Sequence, residues 1–166
     1  MSELTQERLK EILEYSPDTG YFSWKVYRNQ HAKEGDVAGY LNDNGYIRMN
    51  ISGKSYQAHR VAWLYVYGYF PDLLVDHING VRNDNRLCNL REASVRENSR
   101  NKGITSTNKS GYKGVSWEKR RNKWVVRIKT GERYMHGGYY DNVEDAATAY
   151  KNMAIKYHGE FVYGIR

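Results

Sequence analysis

The 166-residue chain has a single cysteine, Cys88, so an internal disulfide and the multi-cysteine zinc sites are both excluded. Long apolar runs are also missing. No stretch approaches the roughly eighteen apolar residues that a membrane span needs, and residues 1–15 form an acidic amphipathic pattern without a signal-peptide core. These absences predict a soluble, cytoplasmic protein with no membrane partner, held together by packing alone. Acidic side chains are in deficit, 19 Asp and Glu against 26 Lys and Arg, for a net charge of +7. Such a balance favours a polyanionic partner. The 40% apolar and 27% charged composition rules out a disordered tail, and the length suits one ordinary domain or two to three small ones. Sixteen Tyr, four Trp and three Phe supply much of the packing, and aromatics beside basic residues also suit nucleic-acid surfaces.

The positive charge is unevenly placed. Residues 1–58 carry seven basic and eight acidic side chains, residues 59–101 six and five, and residues 102–166 thirteen and six. The excess therefore sits in the last third, which predicts a C-terminal module that holds a polyanion and an earlier part with another task. Between them, residues 102–110 read KGITSTNKS, with one apolar side chain and a density of Ser, Thr, Asn and Gly that marks a linker.

In the first third, Leu9, Ile12 and Leu13 share one helical face and predict a short helix over residues 5–15, ended by Ser16-Pro17-Asp18. Residues 20–24 read as a strand. Residues 45–57 read as a hairpin turning at Ser52-Gly53-Lys54. Val61, Leu64 and Tyr65 predict a second helix over residues 59–67, stopped by Gly68 and Pro71. Arg60, at the start of that helix, is a candidate phosphate contact.

Residues 73–101 read LLVDHINGVRNDNRLCNLREASVRENSRN and carry the most chemistry. The run Leu73-Leu74-Val75 ends in Asp76-His77, so a buried strand delivers a carboxylate and an imidazole to one edge. Asn79-Gly80 turns the chain and Asn83-Asp84-Asn85 forms a loop. A second strand begins at Asn89-Leu90, and residues 94–101 suit a helix with Ser94 as candidate N-cap. These residue types fit metal-assisted phosphodiester hydrolysis. Asp76 is a hard oxygen donor for Mg²⁺ and the carbonyl of Asn98 a second, with water and phosphate completing the shell. His77 is then the general base, with Asn89 orienting its ring. Taken alone, the same residues fit turn and cap roles equally well.

The segment resembles the HNH homing-endonuclease motif, with His77, Asn89 twelve residues on, and Asn98 twenty-one residues on, where Asn98 stands in for a His and Asp76 is the carboxylate metal ligand. Tyr15-x-x-x-Thr19-Gly20, Gly39-Tyr40-x-x-x-x-Gly45-Tyr46-Ile47 and Ala58-His59-Arg60 extend the resemblance over roughly residues 5–101. It implies an α+β fold: a nuclease domain over residues 1–101 with a ββα-metal core at about 72–101, then the linker at 102–110. The implied cofactor is one divalent ion, Mg²⁺ first and Mn²⁺ second, with no small-molecule cofactor. The implied products are 5′-phosphate and 3′-hydroxyl ends.

In residues 111–166 the runs at 114–117, 123–129 and 133–140 predict a three-stranded antiparallel sheet. Trp124, Val126 and Ile128 fall on its packed face; Lys123, Val125, Arg127 and Lys129 fall on its cationic face. Val143, Ala146, Ala147, Tyr150, Met153, Ala154 and Tyr157 predict a helix across the packed face, with Asn142 as N-cap and Gly159 as stop. Tyr112-Lys113-Gly114-Val115, Lys123-Trp124, Gly138-Tyr139-Tyr140-Asp141 and Glu144-Asp145-Ala146-Ala147-x-Ala149-Tyr150 resemble the plant Apetala/ethylene-response-factor DNA-binding domain. That resemblance implies a double-stranded DNA partner, with Lys113, Arg127, Lys129, Tyr134 and His136 on the DNA-facing sheet and Lys123 beside them. Ser116, Tyr134 and His136 depart from the Arg or Trp usual there. Together the two resemblances imply a site-specific homing-type endonuclease of a phage-infected or bacterial cell, nicking as a monomer, with dimerisation left open. The alternative is a non-cleaving DNA-binding regulator with a degenerate HNH fold.

Overall fold

The first helix, α1 (Gln6–Ile12), starts where the Thr5 hydroxyl accepts the Arg8 N–H at 3.3 Å, and buries Leu9 and Ile12. The computed structural model describes residues 4–162. The helix stops earlier than its apolar spacing predicts, because Leu13–Tyr15 forms strand β1, antiparallel to β2 (Phe22–Trp24) with Leu13 opposite Trp24 and Tyr15 opposite Phe22. Leu13 is buried in either conformation, so helical periodicity could not exclude the strand. The hairpin forms as expected. Strands β3 (Tyr40–Leu41), β4 (Ile47–Ile51) and β5 (Lys54–Gln57) make an antiparallel sheet that buries Ile47, Met49 and Ile51 on one face. Helix α2 (Ala58–Tyr67) packs on α1, β4 and β5. Leu9, Leu13, Phe22, Met49, Ile51 and Val61 fill one core, each large side chain contributing about 1.5–3 kcal/mol by leaving water.

After α2 come β6 (Leu74–His77), a 3₁₀ turn (Leu87–Asn89) and β7 (Leu90–Ala93), with β6 and β7 antiparallel. Helix α3 (Val95–Asn101) completes the strand–loop–strand–helix order. The chain divides into two compact units at this helix, the first ending at Val95 and the second starting at Arg96. The division falls ahead of the 102–110 stretch, whose composition marks a linker.

The second unit contains β8 (Val115–Glu118), β9 (Lys123–Thr130) and β10 (Arg133–Tyr140), antiparallel with β9 central. Helix α4 (Val143–His158) packs against all three strands, its N-terminus capped by Asn142 Oδ1 accepting the Glu144 N–H at 2.7 Å. Val115, Val126 and Ala146 form the centre of this core, flanked by Trp124, Tyr140, Tyr150 and Met153. Gly114 sits under the Tyr150 ring with φ of +69°; a Cβ there would strike that ring and lie 2.8 Å from the Arg127 carbonyl oxygen, so the position requires glycine. Val125, on the cationic side of β9, is buried between Ser116 and Tyr139 of the neighbouring strands rather than exposed. Among the described residues, no helix is long and apolar enough to cross a membrane.

Candidate active site and nucleic-acid interface

Strand β6 carries Asp76 and His77 into the interior of the first unit, and both are buried. Antiparallel pairing sets Asp76 opposite Arg91 of β7. The Arg91 guanidinium donates to Asp76 Oδ2 through Nε at 3.0 Å and Nη2 at 2.9 Å. This buried pair was not legible as a pair in the sequence, since only the strand register brings the two together. Because Arg91 offsets the charge of the buried Asp76 carboxylate, Arg91→Met should destabilise the protein by about 3 kcal/mol. Urea unfolding measures it, and an unchanged midpoint would contradict the pairing's importance.

The His77 ring is held by Asn85, whose Oδ1 lies 3.2 Å from Nε2. With Oδ1 as acceptor, Nε2 carries the proton and Nδ1 is the basic nitrogen. Asn85 is wholly buried. The ring also meets the edge of His59 at 5.0 Å between centroids and Tyr46 at 5.9 Å, while the Arg82 guanidinium lies over the Tyr46 ring and donates to the Asn44 carbonyl at 2.8 Å. Burial pushes the His77 pKa down, against the opposing effect of the Asn85 hydrogen bond. A neutral imidazole at physiological pH follows, which is the form a general base needs.

Asn89 does other work than orienting that ring. Its carbonyl accepts the Asn79 N–H at 2.9 Å and its amide donates to the Asp84 carbonyl at 2.8 Å, tying both ends of the 79–84 loop. Asp84 also accepts from Asn79 Nδ2 and Arg86, and the Arg86 hydrogen bonds hold its carboxyl at about 2. The expected orienting role therefore passes from Asn89 to Asn85. Asn85 was visible in the sequence only as a loop former, because a loop asparagine has no periodicity to show which way it faces.

Asn98 lies half-buried on α3, in the second unit, whereas Asp76, His77 and Asn89 belong to the first. Arg60, the candidate phosphate contact at the start of α2, is engaged within the chain. Its guanidinium donates to the Pro71 carbonyl at 3.2 Å and the Leu73 carbonyl at 3.4 Å, and stacks by Phe70, fixing the turn that leads into β6. Lys113 is likewise not a sheet residue: it precedes β8, and its ammonium donates to the carbonyls of Arg100 and Lys102 at 2.6 and 2.5 Å, with burial lowering its pKa.

The remaining basic candidates do share a surface. Arg127 stands opposite His136 and Lys129 opposite Tyr134 across β9 and β10, all four exposed. Arg127 is 3.5 Å from Glu118, and Lys123 pairs with Asp141 at 2.8 Å at the end of the same strand. Sequence alternation missed Tyr139. A register shift between His136 and Tyr139 turns Tyr139 onto the face of Arg127, 4.6 Å from the His136 ring, with the Arg121 guanidinium stacked over it. Arg121 extends this face beyond the residues that periodicity named, whereas exposed Trp117 stands opposite Trp124 on the other face of the sheet.

Residues 56–100 match the family model for HNH endonucleases, and residues 110–160 match that for the AP2 domain. Protein 3.8 of Escherichia phage T7 is 32% identical over 109 residues, covering 65% of this chain and 89% of that protein. The chain belongs to the HNH endonuclease family and carries an AP2 domain. An uncharacterized HNH endonuclease of Acanthamoeba polyphaga mimivirus is 36% identical over 124 residues, 74% of this chain; the chain spans 63% of its length. Among solved structures, the HNH homing endonuclease I-HmuI, described for its DNA binding and cleavage, is similar at 21% identity with a TM-score of 0.41, over 89% of this chain and 85% of that one. The HNH match takes in α2, β6, β7 and most of α3, and so contains His59, Asp76, His77, Asn85, Asn89 and Asn98. The AP2 match takes in β8 to β10 and α4.

Proposed function

We propose that this HNH-family protein is a site-specific DNA endonuclease of the homing type that hydrolyses phosphodiester bonds, with His77 as general base. The observation that carries the reading is the buried His77 imidazole, fixed through Nε2 by Asn85 and next in sequence to the Asp76 carboxylate, with burial pushing its pKa down. Nδ1 takes the proton of the attacking water, and the Asn85 hydrogen bond holds the imidazolium that results. Asp76 offers a hard oxygen donor of the kind Mg²⁺ prefers, and Asn98 carries another such oxygen on α3 of the second unit. Such an ion would be held by the Asp76 carboxylate, next in sequence to the base, and Arg91 fixes that carboxylate's orientation through two hydrogen bonds to Oδ2. A divalent ion, when bound, stabilises negative charge developing on the phosphate and the leaving oxygen. Arg127, Lys129, Tyr134 and His136 bind the duplex, the cations on phosphates or guanine edges. With one His77 per chain, a monomer nicks one strand and leaves 5′-phosphate and 3′-hydroxyl ends.

Chelation tests the metal requirement. In EDTA the protein should retain DNA binding in a gel shift and lose nicking of supercoiled plasmid carrying candidate sites, and excess Mg²⁺ or Mn²⁺ should restore the open circles. Nicking that persists in EDTA would contradict the role given to Asp76.

A further inference from the structure

Of the motif residues outside the span matched by the HNH family model, Tyr15 and Gly20 meet the loop that holds the base. The Tyr15 hydroxyl donates to the Asn85 carbonyl at 2.9 Å and accepts the Leu87 N–H at 3.2 Å, so a single oxygen clamps the backbone on either side of Arg86. Its partners are seventy or more residues away in sequence. The Tyr15 ring is itself wedged between Phe22, at 4.9 Å, and Tyr65, at 5.9 Å. Desolvation raises the hydroxyl's pKa to about 12, so it remains a donor at any physiological pH.

Gly20 supplies the second contact. The loop that follows β1 closes on itself through Gly20 N–H to the Ser16 carbonyl at 2.8 Å and Ser16 N–H to the Tyr21 carbonyl at 3.0 Å. This presses Gly20 flat against the peptide joining Asn85 to Arg86. With φ of +73°, a Cβ there would overlap the Arg86 nitrogen and come within 2.6 Å of the Asn85 carbonyl carbon. These neighbours are backbone atoms, which cannot swing aside as a side chain can. One short segment therefore meets the 85–87 backbone twice, by hydrogen bonds at Tyr15 and by close packing at Gly20. The residue so fixed, Asn85, is the one whose side chain reaches His77.

We propose that Tyr15 and Gly20 are positioning residues for the general base, a brace that sets the His77 ring through Asn85. The proposal rests on the nuclease reading for its consequence in rate, but the contacts also predict a signature that needs no cleavage. A misplacement of the base by a fraction of an ångström slows the chemical step without weakening DNA binding.

The test compares the full-length protein with Tyr15→Phe, which keeps the ring in the core and removes only the clamp, and with Tyr65→Phe, a control from the same ring cluster. The first readout is the ¹⁵N and ¹H resonances of the His77 ring. In Tyr15→Phe they should shift toward exchange between tautomers, while Tyr65→Phe leaves them in place. The second readout is single-turnover nicking, where Tyr15→Phe should lower kcat about tenfold with KM unchanged. Gly20→Ala should move both readouts in the same direction. His77 resonances identical in wild type and Tyr15→Phe would overturn the brace. A wild type that never nicks defeats the nuclease reading alone, because the ring resonances still decide the brace.

Discussion

His77→Ala should lower the nicking rate by about three orders of magnitude while leaving duplex affinity unchanged. A positioned acid–base group contributes roughly 10²–10⁴-fold, and a thousandfold corresponds to about 4 kcal/mol of barrier. The affinity should hold because the proposed DNA contacts, Arg127, Lys129, Tyr134 and His136, lie on the sheet of the second unit, whereas His77 lies on β6 in the first. Asn85→Ala should lower the rate less, since it releases the ring without removing it. Single-turnover cleavage at saturating protein, with a parallel gel shift, separates the two effects. Equal rates for wild type and His77→Ala would remove the base from this mechanism.

A second large effect is expected in acid. The His59 pKa falls from 6.5 to about 3, chiefly because the ring is buried, with further lowering from His77 and Arg60. Between those values the unfolded chain binds a proton that the native state refuses. The stabilisation is therefore complete above about pH 6.5 and is lost as pH falls toward 3. By about pH 3.5 the loss is on the order of 4 kcal/mol from this ring. His77, whose pKa is also lowered by burial, adds to the loss in the same direction. Asp84, held at about 2 from a usual 3.8, loses its contribution only in stronger acid, so the interval from about pH 6.5 to 4 belongs to the histidines. His59→Phe, which keeps an aromatic ring against Tyr46 and His77, should flatten the stability profile there. Urea midpoints at several pH values measure it, and profiles of equal slope for wild type and variant would contradict the buried neutral ring.

Most elements of the fold were legible because their periods are clean. Met49 and Ile51 alternate in β4, Val126 and Ile128 in β9, and Ala146, Tyr150, Met153 and Ala154 repeat at helical spacing in α4. Leu13 shows where such reading ends, since it is buried as helix or strand alike and only its pairing with Trp24 decides. In the site, the position of Asp76 and His77 at the end of a strand was readable from the apolar run before them. Their partners were not. Arg91 depends on β-register, Asn85 on the path of an irregular loop, and Tyr15 on a contact seventy residues away. Arg60, Lys113 and Asn89 show the converse case: a polar side chain at a suggestive position is also bonded to nearby backbone groups, and sequence alone does not reveal that the groups are close. Tyr139 was hidden by the shift in the β10 register, which breaks the alternation that period-two reading assumes.

The most direct measurement of the central claim is single-turnover cleavage of a labelled duplex with Mg²⁺, comparing wild type and His77→Ala under conditions where both are fully bound. The account predicts a nick in one strand by wild type, with 5′-phosphate and 3′-hydroxyl ends, and about a thousandfold less product from the variant. Binding by both with cleavage by neither, on a duplex recovered from a random library by the wild type itself, would contradict it and leave a DNA-binding protein that does not cut.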